Sequence, residues 1–407
     1  MQPTPILASP LLSRLSFLAA VAVACSCAGA TPANGTLATA EEPVSAGAVS
    51  PAENPFLHAV GTGLVDGDGR QIRLKGMSFG NGVYANPPLP EWRRSEADYR
   101  RCQELGVNSV RFYLHHQWLE GRNRGTWNER GFAWLEQNVA WARAHGIGLI
   151  LNLHVPPGGF QSNGGGRALW TSDENQRRLV ALWREIARRF ANEPAIQGYD
   201  LLNEPVVTES IGQWERLARR TVAAIREVDR RHLVVVERVN AVCAGGFLRA
   251  PRAADWAPDR NGLLNFFRID DGNVMYEFHY YQPFGFTHQG ATWTPVPVPS
   301  TASYPGSFTD WDGLVKQFDP TYHERMLARV LEVQGTLGAP MYMGEFGVIR
   351  AGFAEGRNGA GWLKDVAELV LGAGIGVNYH SYDADDPFGT SGTAAAEDAL
   401  AAAYRGG

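Results

Sequence analysis

The sequence lacks most of what a nucleic-acid, membrane-spanning or metal-dependent protein needs. Lys+Arg number 37 against Asp+Glu 42, a formal net charge of -5, whereas a phosphate-binding domain would carry a basic face. The apolar run Leu15 to Ala24 is too short to cross a bilayer, which takes about 20 residues. Cysteine is sparse. Of four in the chain, Cys25 and Cys27 fall near the N-terminus, and Cys102 and Cys243 are isolated residues that do not by themselves imply a disulfide. No His-Glu-x-x-His motif occurs, and Asp383, Asp385 and Asp386 lack calcium-loop spacing. A doubly wound nucleotide-binding sheet would need a glycine turn leading from its first strand into a helix. The glycines from Gly372 to Gly376 run the other way, from helix into strand. Gly76-Met77-Ser78-Phe79-Gly80 fits the serine-hydrolase pattern, but Asn81-Gly82 and Pro87-Pro88 follow where a helix would have to open.

Aromatic residues, by contrast, make up 11% of the chain and include 12 tryptophans. Such a content serves either a large core or flat platforms for sugar rings, and composition does not separate the two. The N-terminus has the form of an export signal, with Arg14 ahead of the apolar run and small residues through Ala28-Gly29-Ala30. Cys25 or Cys27 would be the site of lipid attachment if the signal is of the lipoprotein type. Residues 1–30 are thus expected to be a signal peptide, 31–54 a linker rich in Ala, Gly, Pro, Ser and Thr, and 55–407 a single catalytic domain.

Within that domain, short apolar strands alternate with amphipathic helices. Strands are expected at Gln71 to Gly76, Asn108 to Leu114, Ile147 to His154, Ile196 to Leu202, Leu233 to Glu237, Asn273 to Tyr281, Met341 to Gly344 and Gly376 to Tyr382. Helices fall between them, one capped by Ser95 with Asp98 three residues on. Strands joined through helices pair in parallel, and about eight such units fit a barrel closed on itself. The fold class is α/β, a (β/α)8 TIM barrel, favoured over an open doubly wound sheet.

Barrel active sites lie at the C-terminal ends of strands. Polar residues at those positions are Asn81, Arg111, His154, Asn203 with Glu204, His279 and Tyr281, Glu345, and His380 with Asp383. Two carry the chemistry. Leu201-Leu202-Asn203-Glu204-Pro205 sets a carboxyl after an apolar strand, and Met343-Gly344-Glu345-Phe346-Gly347 repeats this three strands later. Glycosidic cleavage needs such a pair, one carboxyl donating a proton to the leaving oxygen and the other attacking the anomeric carbon. Glu204 is the expected acid/base and Glu345 the nucleophile. Arg111 and Tyr281 are placed to hold the nucleophile's oxygens, and Asn203 to bond a sugar hydroxyl. His154 and His279 could orient these groups or touch the sugar.

These segments resemble glycoside hydrolase family 5, the cellulase-like family. Lys75-Gly76-Met77-Ser78, Gly106-Val107-Asn108 through Arg111, Leu153-His154 and His279-Tyr280-Tyr281 match it in the same order. The resemblance implies a retaining double displacement without metal or cofactor, acting on a β-glucan or β-mannan. Members commonly carry a tryptophan on strand 8 beneath the reacting sugar. Here the strand reads Val377-Asn378-Tyr379-His380-Ser381-Tyr382-Asp383, so His380 or Tyr382 would have to replace that platform.

Long loops are expected around the same mouth. One, after strand 3, carries Gly164-Gly165-Gly166 and Trp170. Another, after strand 6, carries Trp293 and Trp311, candidates for a stacking wall, and the insertion from Ala241 to Gly272 carries Trp256. The expected partner is a carbohydrate, with no nucleic acid, and the expected state is a monomer. A glycolipid or aryl-glycoside hydrolase, a transglycosylase on the same carboxyls, or a binding protein without activity remain open at this level.

Overall fold

The computed structural model describes residues 55–85, 88–123, 125–243, 263–294, 301–309 and 314–406. The signal and linker segments, Cys25, Cys27, Trp256 and Trp311 lie outside the described residues.

Eight parallel strands close into a barrel: β1 Lys75–Phe79, β2 Ser109–His115, β3 Gly148–Val155, β4 Ile196–Asp200, β5 Leu233–Glu237, β6 Val274–Tyr280, β7 Met341–Phe346 and β8 Gly376–Tyr379. Helices α1 Glu96–Glu104, α2 Glu129–Ala144, α3 Asp173–Phe190, α4 Ile211–Arg226, α5 Pro320–Leu337, α6 Gly359–Gly372 and α7 Ala394–Gly406 belong to the same chain order. Their ends follow local chemistry. Asp98 Oδ2 accepts from the Ser95 N–H at 2.7 Å at the start of α1. At α5, Asp319 caps the first turn, Pro320 occupies it, and Gly338 ends the helix with φ 66, the left-handed conformation that glycine adopts without a Cβ penalty.

The strands differ from the sequence expectation in ways that have a physical cause. Gln71–Ile72 does not belong to β1. It pairs antiparallel with Gly63–Val65 through a turn at Asp66 to Gly69, and Gly63–Val65 pairs in turn with His58–Val60. The chain enters the barrel only at Lys75, whose N–H bonds to Asn108 Oδ1. At the other ends, β8 stops at Tyr379, and β4 stops at Asp200 although apolar residues follow. Leu201 and Leu202 are fully buried outside the strand, so hydrophobicity there marks a buried loop.

Side chains alternate across each strand, and the inward set changes character along the barrel axis. At the N-terminal end, Leu74, Ile150, Leu233, Val235, Met275 and Tyr342 form an apolar cluster, closed by Leu57 and Leu64 from the small antiparallel sheet. One step further in, the inward residues become Arg111, Asn152, Asp200, Glu237, Glu277 and Asn378, all buried. The barrel thus has a dry floor, a charged layer, and then the mouth.

Most tryptophans serve the packing. Three on the helix layer also donate indole N–H bonds to carbonyls near the mouth: Trp183 to Leu201 O at 2.9 Å, Trp214 to Glu237 O at 2.8 Å and Trp362 to Gln282 O at 2.8 Å. Buried indoles normally find a partner for this hydrogen, and these partners lie within a few residues of the site. Cys102 and Cys243 are separate buried thiols. No helix among the described residues is long and apolar enough to cross a membrane.

Candidate active site

Glu345 is brought inward by a local irregularity. Phe278 pairs with Met343, but the next residue, His279, pairs with Glu345, so β7 carries one extra residue at Gly344. That extra residue rotates Glu345 into the lumen. Gly344 also has no space for a side chain: a Cβ there would fall 1.6 Å from Glu277 Oε1. Gly344→Ala should therefore destabilise the fold, by about 3 kcal/mol if the surroundings do not relax, and displace Glu345. The urea midpoint and the residual activity report the two effects, and an unchanged midpoint would show that Glu277 moves aside without cost.

The Glu345 carboxylate is held on both oxygens. Oε1 accepts from Arg111 Nη1 and from the Tyr113 hydroxyl, each at 2.7 Å, and Oε2 accepts from the Tyr281 hydroxyl at 2.8 Å. Burial alone would raise its pKa, but the positive charges of His279 and Arg111 outweigh it and hold the carboxyl well below the ordinary range. Burial, reinforced by Glu345, keeps both tyrosine hydroxyls protonated as donors.

Glu204 follows β4 in a turn with φ 41, uncommon for a residue with a side chain. Its N–H donates to Glu237 Oε2 at 2.5 Å, and its Oε1 lies 3.0 Å from His279 Nδ1. His279 has carboxyls on every side: besides Glu204, Glu277 Oε1 at 3.3 Å, Glu345 Oε2 at 3.5 Å and Glu237 Oε1 at 3.7 Å. Burial disfavours its charge, yet Glu237 and Glu345 prevail and raise its pKa well above the usual value. It is an imidazolium bridging the two candidate carboxyls. One oxygen of Glu204 and one of Glu345 lie within 4.8 Å of each other.

Below them, Arg111 Nε donates to Asp200 Oδ2 at 2.8 Å and forms an ion pair with Glu277 Oε1 at 3.0 Å. Burial, with Glu277 adjacent, drives the Asp200 pKa well up. Burial does the same at Glu237, where the pull of His279 is insufficient to reverse it. The raised pKa values of these two carboxyls limit the negative charge that the layer must carry.

The other expected residues divide clearly. Asn203 accepts from Arg111 Nη2 at 3.0 Å and donates to Ser162 Oγ at 3.2 Å. His154 donates from Nδ1 to Asn152 Oδ1 at 2.9 Å. Burial lowers its pKa well below the usual value, so the ring is neutral and presents Nε2 as an acceptor. His380 lies beside Tyr113, with Nδ1 at 3.1 Å from its hydroxyl. Tyr382 turns away, bonding Asp98, and provides no platform. Asn81 is absorbed by the framework: its amide donates to Tyr113 O and its Oδ1 accepts from Arg94 Nε. Trp170 is also a correction. It is 6% exposed, packed against Trp214, with its indole bonded to Gln161, so it belongs to the core. Trp293 is 55% exposed. The sequence reading missed Tyr113, Asn152, Asp200, Glu237, Glu277 and Asn378. Each sits two residues from a recognised position or ends a strand, a period-2 signal that was there to use. It also missed Tyr84, half-exposed and edge-on to His154.

A family model for cellulase (glycosyl hydrolase family 5) matches residues 65–387. The chain belongs to glycosyl hydrolase family 5. This family 5 protein is a retaining glycoside hydrolase. It is 29% identical to endoglucanase C of Acetivibrio thermocellus over 300 residues, 69% of this chain and 82% of that one. It is 26% identical to cellodextrinase A of Ruminococcus flavefaciens over 309 residues, 74% and 83% of the two chains. Among solved structures, Thermotoga maritima Cel5A in complex with cellobiose superposes with a TM-score of 0.62 at 20% identity, covering 80% of this family 5 chain and 96% of the other.

Proposed function

We propose that this family 5 hydrolase cleaves β-glucan chains, with Glu204 as acid/base and Glu345 as nucleophile. The spacing of the two carboxyls carries the reading. Separations near 5 Å suit direct attack by one carboxylate, whereas inversion needs roughly 6.5–9.5 Å to admit a water. The two environments match the two tasks. Glu345, charged and triply bonded, attacks the anomeric carbon. Glu204, more open to the mouth, donates its proton to the departing oxygen and later takes one from the incoming water. The His279 imidazolium steadies both.

The glucan preference is supported by the relatives, which are named endoglucanase and cellodextrinase. A Thermotoga maritima Cel5A structure with mannotriose makes mannan the natural control. The mature protein should release reducing sugar from soluble β-1,4-glucan and from cellodextrins, and at least about tenfold less from β-mannan, a difference of the size one or two hydroxyl contacts supply. Equal or greater release from mannan would overturn the glucan assignment while leaving the carboxyl pair untouched. Export, with a soluble or lipid-anchored mature form, is part of the same proposal, because a polymer of this kind has to be met outside the cell.

A further inference from the structure

We propose that Tyr113 is a positioning residue for the nucleophile, and that His380 stands where it does to receive the Tyr113 hydrogen during the reaction. The inference rests on Glu345 being the nucleophile.

Tyr281 already serves one oxygen of Glu345, so a second phenol on the other oxygen needs its own explanation. The Tyr113 hydroxyl has one hydrogen and three polar neighbours: Glu345 Oε1 at 2.7 Å, Ser78 Oγ at 3.0 Å and His380 Nδ1 at 3.1 Å. The carboxylate takes the hydrogen in the free enzyme, since it is the charged and nearest acceptor. Ser78 is fixed by the Asn378 amide at 2.6 Å. On the far side of His380, Nε2 faces Asp386 Oδ2 at 3.5 Å. A hydrogen on Nε2, directed at Asp386, leaves the Nδ1 lone pair pointed at Tyr113.

The reaction changes which acceptor is strongest. When Glu345 attacks, its carboxylate becomes an ester and loses its charge. The Tyr113 hydrogen can then turn to His380 Nδ1 without leaving a buried donor unpaired. When water displaces the sugar, the carboxylate forms again as the leaving group, and the same hydrogen returns to stabilise its growing charge. The help falls on the second step. This gives the strand-8 departure a purpose: a flat hydrocarbon in place of His380 would offer Tyr113 no acceptor in the intermediate.

An aryl β-cellobioside with a good leaving group tests this, with stopped-flow detection of the phenol. Wild type must turn it over and Glu345→Gln must not; failure of that control strikes the proposed function and not Tyr113. Tyr113→Phe should lower kcat about tenfold, the loss of one charge-assisted hydrogen bond. Its kcat/KM should stay within about twofold, since only the first step enters it, and a burst of phenol should appear as glycosyl-enzyme accumulates. His380→Asn removes the acceptor used in the intermediate, so it should slow the first, glycosylating step and shrink any burst in the wild-type background, and add nothing in the Tyr113→Phe background. A Tyr113→Phe protein with unchanged kcat, or with kcat and kcat/KM falling together and no burst, overturns the proposal. So would a His380→Asn effect of equal size in both backgrounds.

Discussion

Glu345→Gln should yield a folded protein whose release of sugar from β-glucan is lower by at least about 10⁴-fold, as expected when a covalent nucleophile is removed. The amide keeps the shape of the side chain: its one oxygen can accept from Arg111 and Tyr113 while its NH2 donates to the Tyr281 oxygen, but it cannot form the ester. The fold should survive because Arg111 retains Asp200 and Glu277 as charged or polar partners at 2.8 and 3.0 Å. A buried guanidinium left with no partner would cost several kcal/mol. Here it loses one charge and keeps Asp200, Glu277 and Asn203. Circular dichroism and thermal denaturation confirm folding independently of activity. A Glu345→Gln protein as active as wild type would show that another group attacks the sugar.

Glu204→Ala should behave differently, and the difference assigns the roles. On β-glucan the loss should be about 10³-fold, within the range for a positioned general acid. On an aryl cellobioside with a good leaving group, the first step no longer needs the proton and should proceed. The second step then stalls for want of a base. Azide, which needs no base, should restore turnover and yield a β-glycosyl azide, identifiable by NMR. An α-azide, or no rescue, would contradict the assignment. The Glu204 amide keeps its bond to Glu237 Oε2 in this variant, so the turn is retained.

The barrel was legible because its strands and helices alternate with clear punctuation, and the carboxyl pair because each ends an apolar run. The pairing of the antiparallel sheet was not, since Gln71–Ile72 and β1 are separated by two residues that read as a continuation. The charged layer was also overlooked. Glu277 and Asp200 look like surface charges in a list, and only their phase with His279 and the strand ends marks them as inward. The inward turn of Glu345 breaks that phase, because the bulge at Gly344 is a backbone event with no period of its own. The aromatic content misled in part. Trp170 lies in the core, and Trp183, Trp214 and Trp362 bond the helix layer to the mouth, whereas Tyr84, unremarked in the sequence, faces outward beside His154.

The apolar floor built from Leu57, Leu64 and their neighbours makes the barrel a cul-de-sac. A sugar chain lies across such an opening and does not thread through it. On the proposed double displacement, the severed fragment has to back out through the same doorway by which the next reactant arrives. Water and a second sugar hydroxyl then compete for one vacated place, so the balance between cutting chains and rejoining them is decided by traffic at the door.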